Sequence, residues 1–171
     1  MDLYHSPYEA YPFLSDEGDD LRCDFELLTD ELTSAAGLLR AQVADEALRE
    51  ELLWVAEIIY HINPTLRTRL TVTEEETARL AAAVERLQGE CGVRGFVLPQ
   101  GCPAACIAHL LRVRSKCLVR LVYRHMRQGN PAEPRLVDLC NLLSGYFFAL
   151  ALKLNVLAGV KETPYVSRNY K

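Results

Sequence analysis

Apolar residues recur every three or four positions over most of the chain, which is the pattern of amphipathic α-helices. Two such stretches lie in the first third of the sequence. One begins near Asp24, and the other extends from about Asp45 to Ile62 and ends before Pro64. Their apolar positions are Leu28, Leu32, Ala35 and Leu39 in the first, and Leu48, Leu52, Val55 and Ile59 in the second.

Capping and turn signals divide the middle of the chain. Thr73 and Glu76 have the spacing of a capping box, so a third helix is predicted from there to about Gln88. Residues 92–101 contain three glycines and a proline and are predicted to form an extended loop. Pro103 suits the first turn of a fourth helix, which is predicted to end near Gln128.

The last helical stretch carries the longest apolar stripe, about six turns that end at Gly159. Its members are Leu136, Leu139, Cys140, Leu143, Phe147, Leu150, Leu154 and Leu157. Five helices with short connections and no strand pattern predict an all-α fold, an up-and-down five-helix bundle. The predicted organisation is an irregular segment at 1–22, the bundle at 23–160 and a polar tail at 161–171.

Composition agrees with one compact domain. The chain has 171 residues, half of them hydrophobic, and a formal net charge of −4. We expect no membrane span, since no apolar run approaches the ~18 residues required. The acidic N-terminus does not have the charged and then apolar pattern of a signal peptide. The six cysteines are unevenly spaced and are predicted to be reduced thiols. These features predict a cytoplasmic protein.

Positive charge is concentrated on the fourth helix. From Cys91 to Ala132 there is no acid and seven bases, namely Arg94, Arg112, Arg114, Lys116, Arg120, Arg124 and Arg127. Five of them form one stripe at helical spacing: Arg112, Lys116, Arg120, Arg124 and Arg127. A phosphate-bearing ligand is the favoured interpretation of the inner end, Arg112 to Arg120. At the outer end, pairing with acidic helices or the tail explains the charge equally well. The acidic remainder of the chain argues against nucleic acid.

Three short blocks of sequence, taken in their order along the chain, resemble motifs of a known family. The first helix contains FELLTDELTSAAG (25–37), the loop contains FVLPQG (96–101) followed by His109 and Arg112, and the last helix contains NLLS (141–144). In this order, on five helices, they resemble the ATP:cob(I)alamin (corrinoid) adenosyltransferases of the propanediol-utilisation type.

The resemblance implies a homotrimer of five-helix bundles with the active site between subunits. It implies transfer of the 5′-deoxyadenosyl group of ATP, bound with magnesium, to cobalt(I) of cobalamin or a related corrinoid, with release of triphosphate. A reductase or a corrinoid-dependent enzyme is a further expected partner.

The resemblance also assigns roles to individual residues. Phe96 would shield the lower corrinoid face and displace its axial base, and Asp30 would pair with Arg112 across the interface. The remaining candidates, expected to contact the substrates, are His109, Lys116, Arg120 and Asn141.

Departures from the family pattern keep other functions open. The Thr-Gly-Asp-Gly-type loop that cradles triphosphate has no counterpart in residues 1–23, KCLV (116–119) replaces an Arg-Arg-x-x-Glu run, and Gly145 replaces an aspartate. One alternative is therefore a non-catalytic corrinoid-binding carrier or chaperone of the same fold. Another is an interaction bundle whose basic helix docks an acidic partner.

Two side-chain clusters have competing interpretations. Cys102, Cys106 and His109 stand on one face of the fourth helix, where they would suit zinc or an iron–sulfur cluster, or act as small packing residues beside a core histidine. The aromatic run at 146–148 is more typical of a core than of a cofactor site. His125 is expected to face solvent.

Overall fold

A computed structural model describes residues 3–92 and 95–169 as a bundle of five helices. The helices are α1 Leu21–Gln42, α2 Glu46–Ile62, α3 Glu74–Cys91, α4 Pro103–Arg127 and α5 Pro134–Leu157, with a 3₁₀ turn at Asn63–Leu66. α1 packs against α2 and α4, and α5 packs against α4 and α3. Within the described ranges the only β-pairing is an isolated bridge between Val97 and Pro164. The all-α prediction is confirmed.

Local capping chemistry sets the helix starts. α1 begins three residues before the predicted Asp24, because the Asp20 side chain accepts the N–H of Arg22 and caps the helix. The predicted capping box is present: Thr73 Oγ1 accepts the Glu76 N–H at 3.2 Å, and the Glu76 carboxylate accepts the Thr73 N–H at 2.8 Å. α3 extends slightly beyond Gln88, to Cys91.

The core lies along α5, which is buried on several faces at once. Phe147, Leu143 and Leu150 are fully buried there, as are Phe25 and Leu52 from α1 and α2. α5 is more apolar than expected, and by length and mean hydropathy (1.4 in its best window) it would qualify as a membrane span. Most of that window is buried inside the protein, which is the profile of a central helix in a bundle.

The N-terminal segment, residues 3–20, contains turns but no helix and is attached to the bundle through Arg67. The Arg67 guanidinium donates to Glu26 at 2.7 and 2.8 Å and to Asp16 at 2.6 Å, and it stacks on Phe13 at 3.7 Å. Burial and a hydrogen bond with Glu26 raise the pKa of Tyr11 to about 12. This cluster fixes the path of the chain into α1.

Candidate functional site

A cavity of about 290 Å³ opens where the loop before α4 meets α4 and α5. Its lining residues are Gly95, Phe96 and Val97 from the loop, Arg112 and Lys116 from α4, and Ser144, Gly145 and Phe148 from α5. Three of the predicted site residues, Phe96, Arg112 and Lys116, are thus brought to one place. The cavity combines an aromatic wall with two adjacent cations.

Arg112 lies against the aromatic wall. Its guanidinium carbon is 5.7 Å from the centroid of the Phe148 ring, a cation–π distance. Its Nε is buried without a hydrogen-bond partner, and no carboxylate pairs with it among residues 3–92 and 95–169. A buried guanidinium N–H without a partner is costly, so this face is suited to an additional acceptor from a ligand or another subunit.

Phe96 projects from the loop with 79% of its surface exposed. An exposed phenylalanine ring at the edge of a cavity is available to cover an apolar molecule. The loop itself is held through its backbone: the Tyr165 N–H donates to the Phe96 carbonyl, and the Leu98 N–H donates to the Thr163 carbonyl, both at 2.9 Å. The C-terminal tail therefore forms part of the frame of the site.

His109 is buried one turn before Arg112, on the core side of α4. Its ring lies 6.3 Å from that of Phe148, and neither ring nitrogen has a hydrogen-bond partner. Burial, and then the charge of Arg112, lower the pKa of His109, so its imidazole is neutral at pH 7. His109 does not line the cavity and supports its wall through Phe148.

The rest of the basic stripe faces solvent. Arg120, Arg124 and Arg127 are exposed, and none forms an ion pair with another residue in the part of the chain that is described. Only Arg114, which is outside the stripe, pairs with α1, through Glu31 at 2.8 Å. The interpretation of the outer end as a face paired with the chain's own acids is therefore wrong for the described residues.

Two further candidates lie away from the cavity lining. Asp30 is exposed on α1, beside Glu31, and has no ion-pair partner within the described ranges. Asn141 is exposed on α5, and its Nδ2 donates to the Val137 carbonyl at 2.9 Å. Within a single chain the geometry leaves Asp30 free for another partner, whereas Asn141 must release a local hydrogen bond to contact a ligand.

The cysteines and histidine of the metal alternative lie in different surroundings. Cys102 Sγ contacts the Leu154 carbonyl at 3.7 Å, Cys106 is exposed with its Sγ near the Gly101 carbonyl, and His109 packs on Phe148. Nowhere in the described ranges do three His, Cys, Asp or Glu side chains converge as a metal site. All six cysteines are free thiols. The placement does not support the metal alternative.

Sequence reasoning missed part of the cavity. Within the aromatic run, Tyr146 and Phe147 are fully buried, as expected of core residues, but Phe148 is half-buried and lines the cavity with Ser144. Ser144 and Phe148 are four positions apart and therefore lie on one helix face. This spacing could have indicated the cavity wall, but the core interpretation covers the whole run at 146–148. His125 is buried rather than solvent-facing, and burial lowers its pKa. Arg94 lies outside the described residues.

The fold and sequence have known relatives. A family model for cobalamin adenosyltransferase matches residues 18–154. A corrinoid adenosyltransferase of Bacillus subtilis (strain 168) is 29% identical over 157 residues, covering 86% of this chain and 81% of that protein.

Solved structures of a PduO-type ATP:corrinoid adenosyltransferase from Lactobacillus reuteri have the same fold. A phenylalanine-to-histidine variant complexed with cobalamin and ATP superposes with a TM-score of 0.79 at 22% identity, over 95% of this chain and 98% of that one. An arginine-to-lysine variant complexed with ATP gives 0.77 at 24% identity, over 86% and 88%.

The chain belongs to the cobalamin adenosyltransferase family, which the resemblance in the sequence had indicated. Its family model spans all the described helices except the last three residues of α5. The members it resembles are enzymes, ATP:corrinoid adenosyltransferases.

Proposed function

We propose that this protein transfers the 5′-deoxyadenosyl group of ATP to cobalt(I) of cobalamin or a related corrinoid. The observation that carries the proposal is the cavity in which an exposed phenylalanine, Phe96, faces two adjacent cations, Arg112 and Lys116. An apolar ring suits a corrinoid face, and the cations suit a polyphosphate. Both kinds of substrate thus find matching chemistry at one place.

In this reaction the protein forms no covalent bond with either substrate. Cobalt(I) supplies the electron pair of the new cobalt–carbon bond, the bond from the 5′ carbon to oxygen breaks, and triphosphate leaves with that bond's electrons. Cobalt(I) forms from cobalt(II) by addition of one electron, which a partner reductase would supply. The protein has to align the 5′ carbon with cobalt and to stabilise the charge of the leaving triphosphate, to which magnesium is bound.

Phe96 is assigned to the corrinoid. Cobalt(II) is hard to reduce while it has a lower axial ligand, so a group that excludes that ligand makes reduction easier. The Phe96 ring is exposed and apolar and cannot itself coordinate cobalt, which are the properties this role requires. His109 would act indirectly, by packing behind the Phe148 wall.

Arg112, Lys116, Arg120 and Asn141 are assigned to the triphosphate. In the Lactobacillus reuteri protein, the substituted phenylalanine and arginine are 20 positions apart, and Phe96 and Lys116 have the same separation. The lysine variant of that relative is complexed with ATP, so lysine at the corresponding place is compatible with ATP there. Lys116 is therefore proposed to serve where the relative has arginine.

Asp30 is assigned to a second subunit of a homotrimer. Asp30 and Arg112 both lack an ion-pair partner within the described residues; Asp30 is exposed on α1, and Arg112 lies on α4 beside the cavity. Pairing between subunits would satisfy the buried Arg112 Nε and fix its orientation. We propose a cytoplasmic trimer in which each cavity is completed by a neighbouring chain.

An anaerobic titration tests the proposed function. Cobalamin is reduced with a strong reductant, and visible absorption is followed with and without ATP. A light-sensitive adenosylcobalamin spectrum that grows only with protein and ATP is expected. An unchanged spectrum in the presence of protein, reductant and ATP would overturn the proposal.

A second candidate is a non-catalytic corrinoid carrier. It is favoured by the N-terminal segment, which is docked on Arg67, is acidic near α1 and has no Thr-Gly-Asp-Gly-type sequence. In the same titration, a cobalt(II) spectrum that the protein perturbs equally with and without ATP would identify this function.

The Asp30–Arg112 pairing predicts a charge-swap result. The single variants Asp30→Arg and Arg112→Asp are each expected to lower the trimer-to-monomer ratio about tenfold, because like charges then face one another across the interface. The double variant is expected to restore the trimer, measured by light scattering coupled to gel filtration. Asp24→Arg, the same change at another exposed α1 position, is the control. A double variant that remains monomeric would show that the pairing is wrong.

A further inference from the structure

Asn155 occupies a junction between three segments of the chain. It is fully buried in the last turn of α5. Its side-chain oxygen accepts the Cys102 N–H at 3.0 Å, and its Nδ2 donates to the Gln100 carbonyl at 3.0 Å and to the Glu162 carboxylate at 2.8 Å. One amide thus connects α5 with the loop before α4 and with the C-terminal tail.

The loop is shaped around this amide. Gly101 lies between the two loop residues that Asn155 binds, and it has a φ of 137°, which favours glycine. A Cβ at Gly101 would overlap the side-chain amide of Asn155, so the backbone passes directly over it. The turn at 100–102 is therefore specified by a glycine and an asparagine that are 54 positions apart.

The same amide holds the tail segment 162–165, here called the C-terminal strap. Beyond Glu162, the strap forms the two main-chain hydrogen bonds with Phe96 and Leu98 described above, and the Gln100 side chain donates to the Thr163 hydroxyl. The strap and the Asn155 junction therefore hold both ends of the 96–101 loop, one by its carbonyl at Phe96 and the other at Gln100.

We propose that Asn155 is a positioning residue that determines where Phe96 stands at the mouth of the cavity. The Phe96 ring is mostly exposed, so its own packing does not locate it. Its location is set through its backbone, which the strap and the Gln100–Cys102 turn hold in place. Asn155 lines no part of the cavity and acts only through these two segments. This inference rests on the proposed function, in which Phe96 contacts the corrinoid.

The main test replaces the amide with an apolar group of similar size, Asn155→Leu. The expected result is a fall in kcat for adenosyl transfer of about 10- to 100-fold, because a displacement of about 1 Å at the reacting centre has effects of this size. The KM for ATP is expected to stay unchanged, since the cations on α4 are untouched. The fraction of bound cobalt(II) corrinoid lacking its lower ligand, measured by electron paramagnetic resonance, is expected to fall with kcat.

Hydrogen exchange provides a readout that does not require activity. In Asn155→Leu, the amides of Leu98 and Tyr165 are expected to exchange faster than in the wild type. Asn63→Leu is the matched control, because Asn63 also donates two hydrogen bonds between segments, to the Glu26 carbonyl and to Thr29, at a place remote from the loop. The control is expected to leave loop exchange, kcat and the cobalt spectrum unchanged.

A second pair of variants covers the case in which Asn155→Leu does not fold. Tyr165→Pro removes the single N–H that donates to the Phe96 carbonyl, and Val166→Pro changes the next, exposed position. The first is expected to reproduce the loss of kcat, and the second is expected to have no effect.

The outcomes separate this inference from the proposed function. A wild-type protein that performs no transfer overturns the proposed function, and with it the role of Asn155. An active wild type whose kcat and cobalt spectrum survive both Asn155→Leu and Tyr165→Pro overturns the inference alone. Unchanged exchange at Leu98 and Tyr165 in Asn155→Leu overturns it too, whatever the activity.

Discussion

Replacing Lys116 with methionine is expected to lower kcat for adenosyl transfer about 100-fold. The leaving triphosphate gains charge as the bond to the 5′ carbon breaks, and removal of one fixed group that stabilises such charge costs about 10²–10³ in rate. Methionine keeps the apolar stem of the side chain and removes only the ammonium group. The measurement is steady-state kinetics under anaerobic conditions with saturating ATP and reduced cobalamin.

Two further variants make the Lys116 result specific. Lys116→Arg retains the cation and is expected to keep most of the activity. Arg127→Met removes the same charge at the exposed outer end of the stripe, and is expected to leave kcat unchanged. If Arg127→Met lost as much activity as Lys116→Met, the stripe would be acting as a general positive field instead of through a defined contact.

Removing the carboxylate charge of Glu26 is expected to lower the free energy of unfolding by about 3 kcal/mol. In Glu26→Gln, the guanidinium of Arg67, whose side chain is only 13% exposed, loses the carboxylate that binds it through two hydrogen bonds. Arg67 then keeps only Asp16 as a charged partner, and a mostly buried charge that loses one of its two partners is destabilised. Urea unfolding followed by circular dichroism measures the change.

The double variant Glu26→Gln with Arg67→Met identifies the cause. Because it also removes the guanidinium that Glu26 no longer neutralises, it is expected to recover part of the lost stability. Glu50→Gln is the control, since Glu50 pairs with Arg40 at a side chain that is 61% exposed, and such pairs contribute at most about 1 kcal/mol. A loss in Glu26→Gln no larger than in this control would show that the Glu26–Arg67 pair does not stabilise the fold as a buried ion pair.

The cavity indicates how the departures from the family pattern affect the site. Gly145, at the position where the resemblance implies aspartate, lines the cavity, and Lys116 places a positive charge there where the resemblance implies arginine. The aromatic and basic parts of the cavity are therefore both present. The N-terminal segment has no sequence like the expected triphosphate loop, and Arg67 holds it through Asp16 and Phe13 while also pairing with Glu26 of α1.

The sequence by itself determined the helices and the charge pattern. Apolar residues at helical spacing, the Thr73–Glu76 capping box and Pro103 located five helices to within a few residues, because these signals act between neighbours in the chain. The basic stripe followed from spacing alone. The three sequence blocks indicated the family, and with it the expectation that Phe96 and Arg112 belong to the site.

Tertiary structure decided how distant segments meet. The spacing of Phe148 and of His125 could not show that one lines a cavity and the other is buried, since periodicity does not identify the segment that covers a helix face. The hydrogen bonds of Asn155 to Gln100 and Cys102 and the pairing of Val97 with Pro164 join residues more than 50 positions apart. Such contacts form only once the helices have packed and brought the loop, the tail and the end of α5 together, so no local pattern encodes them.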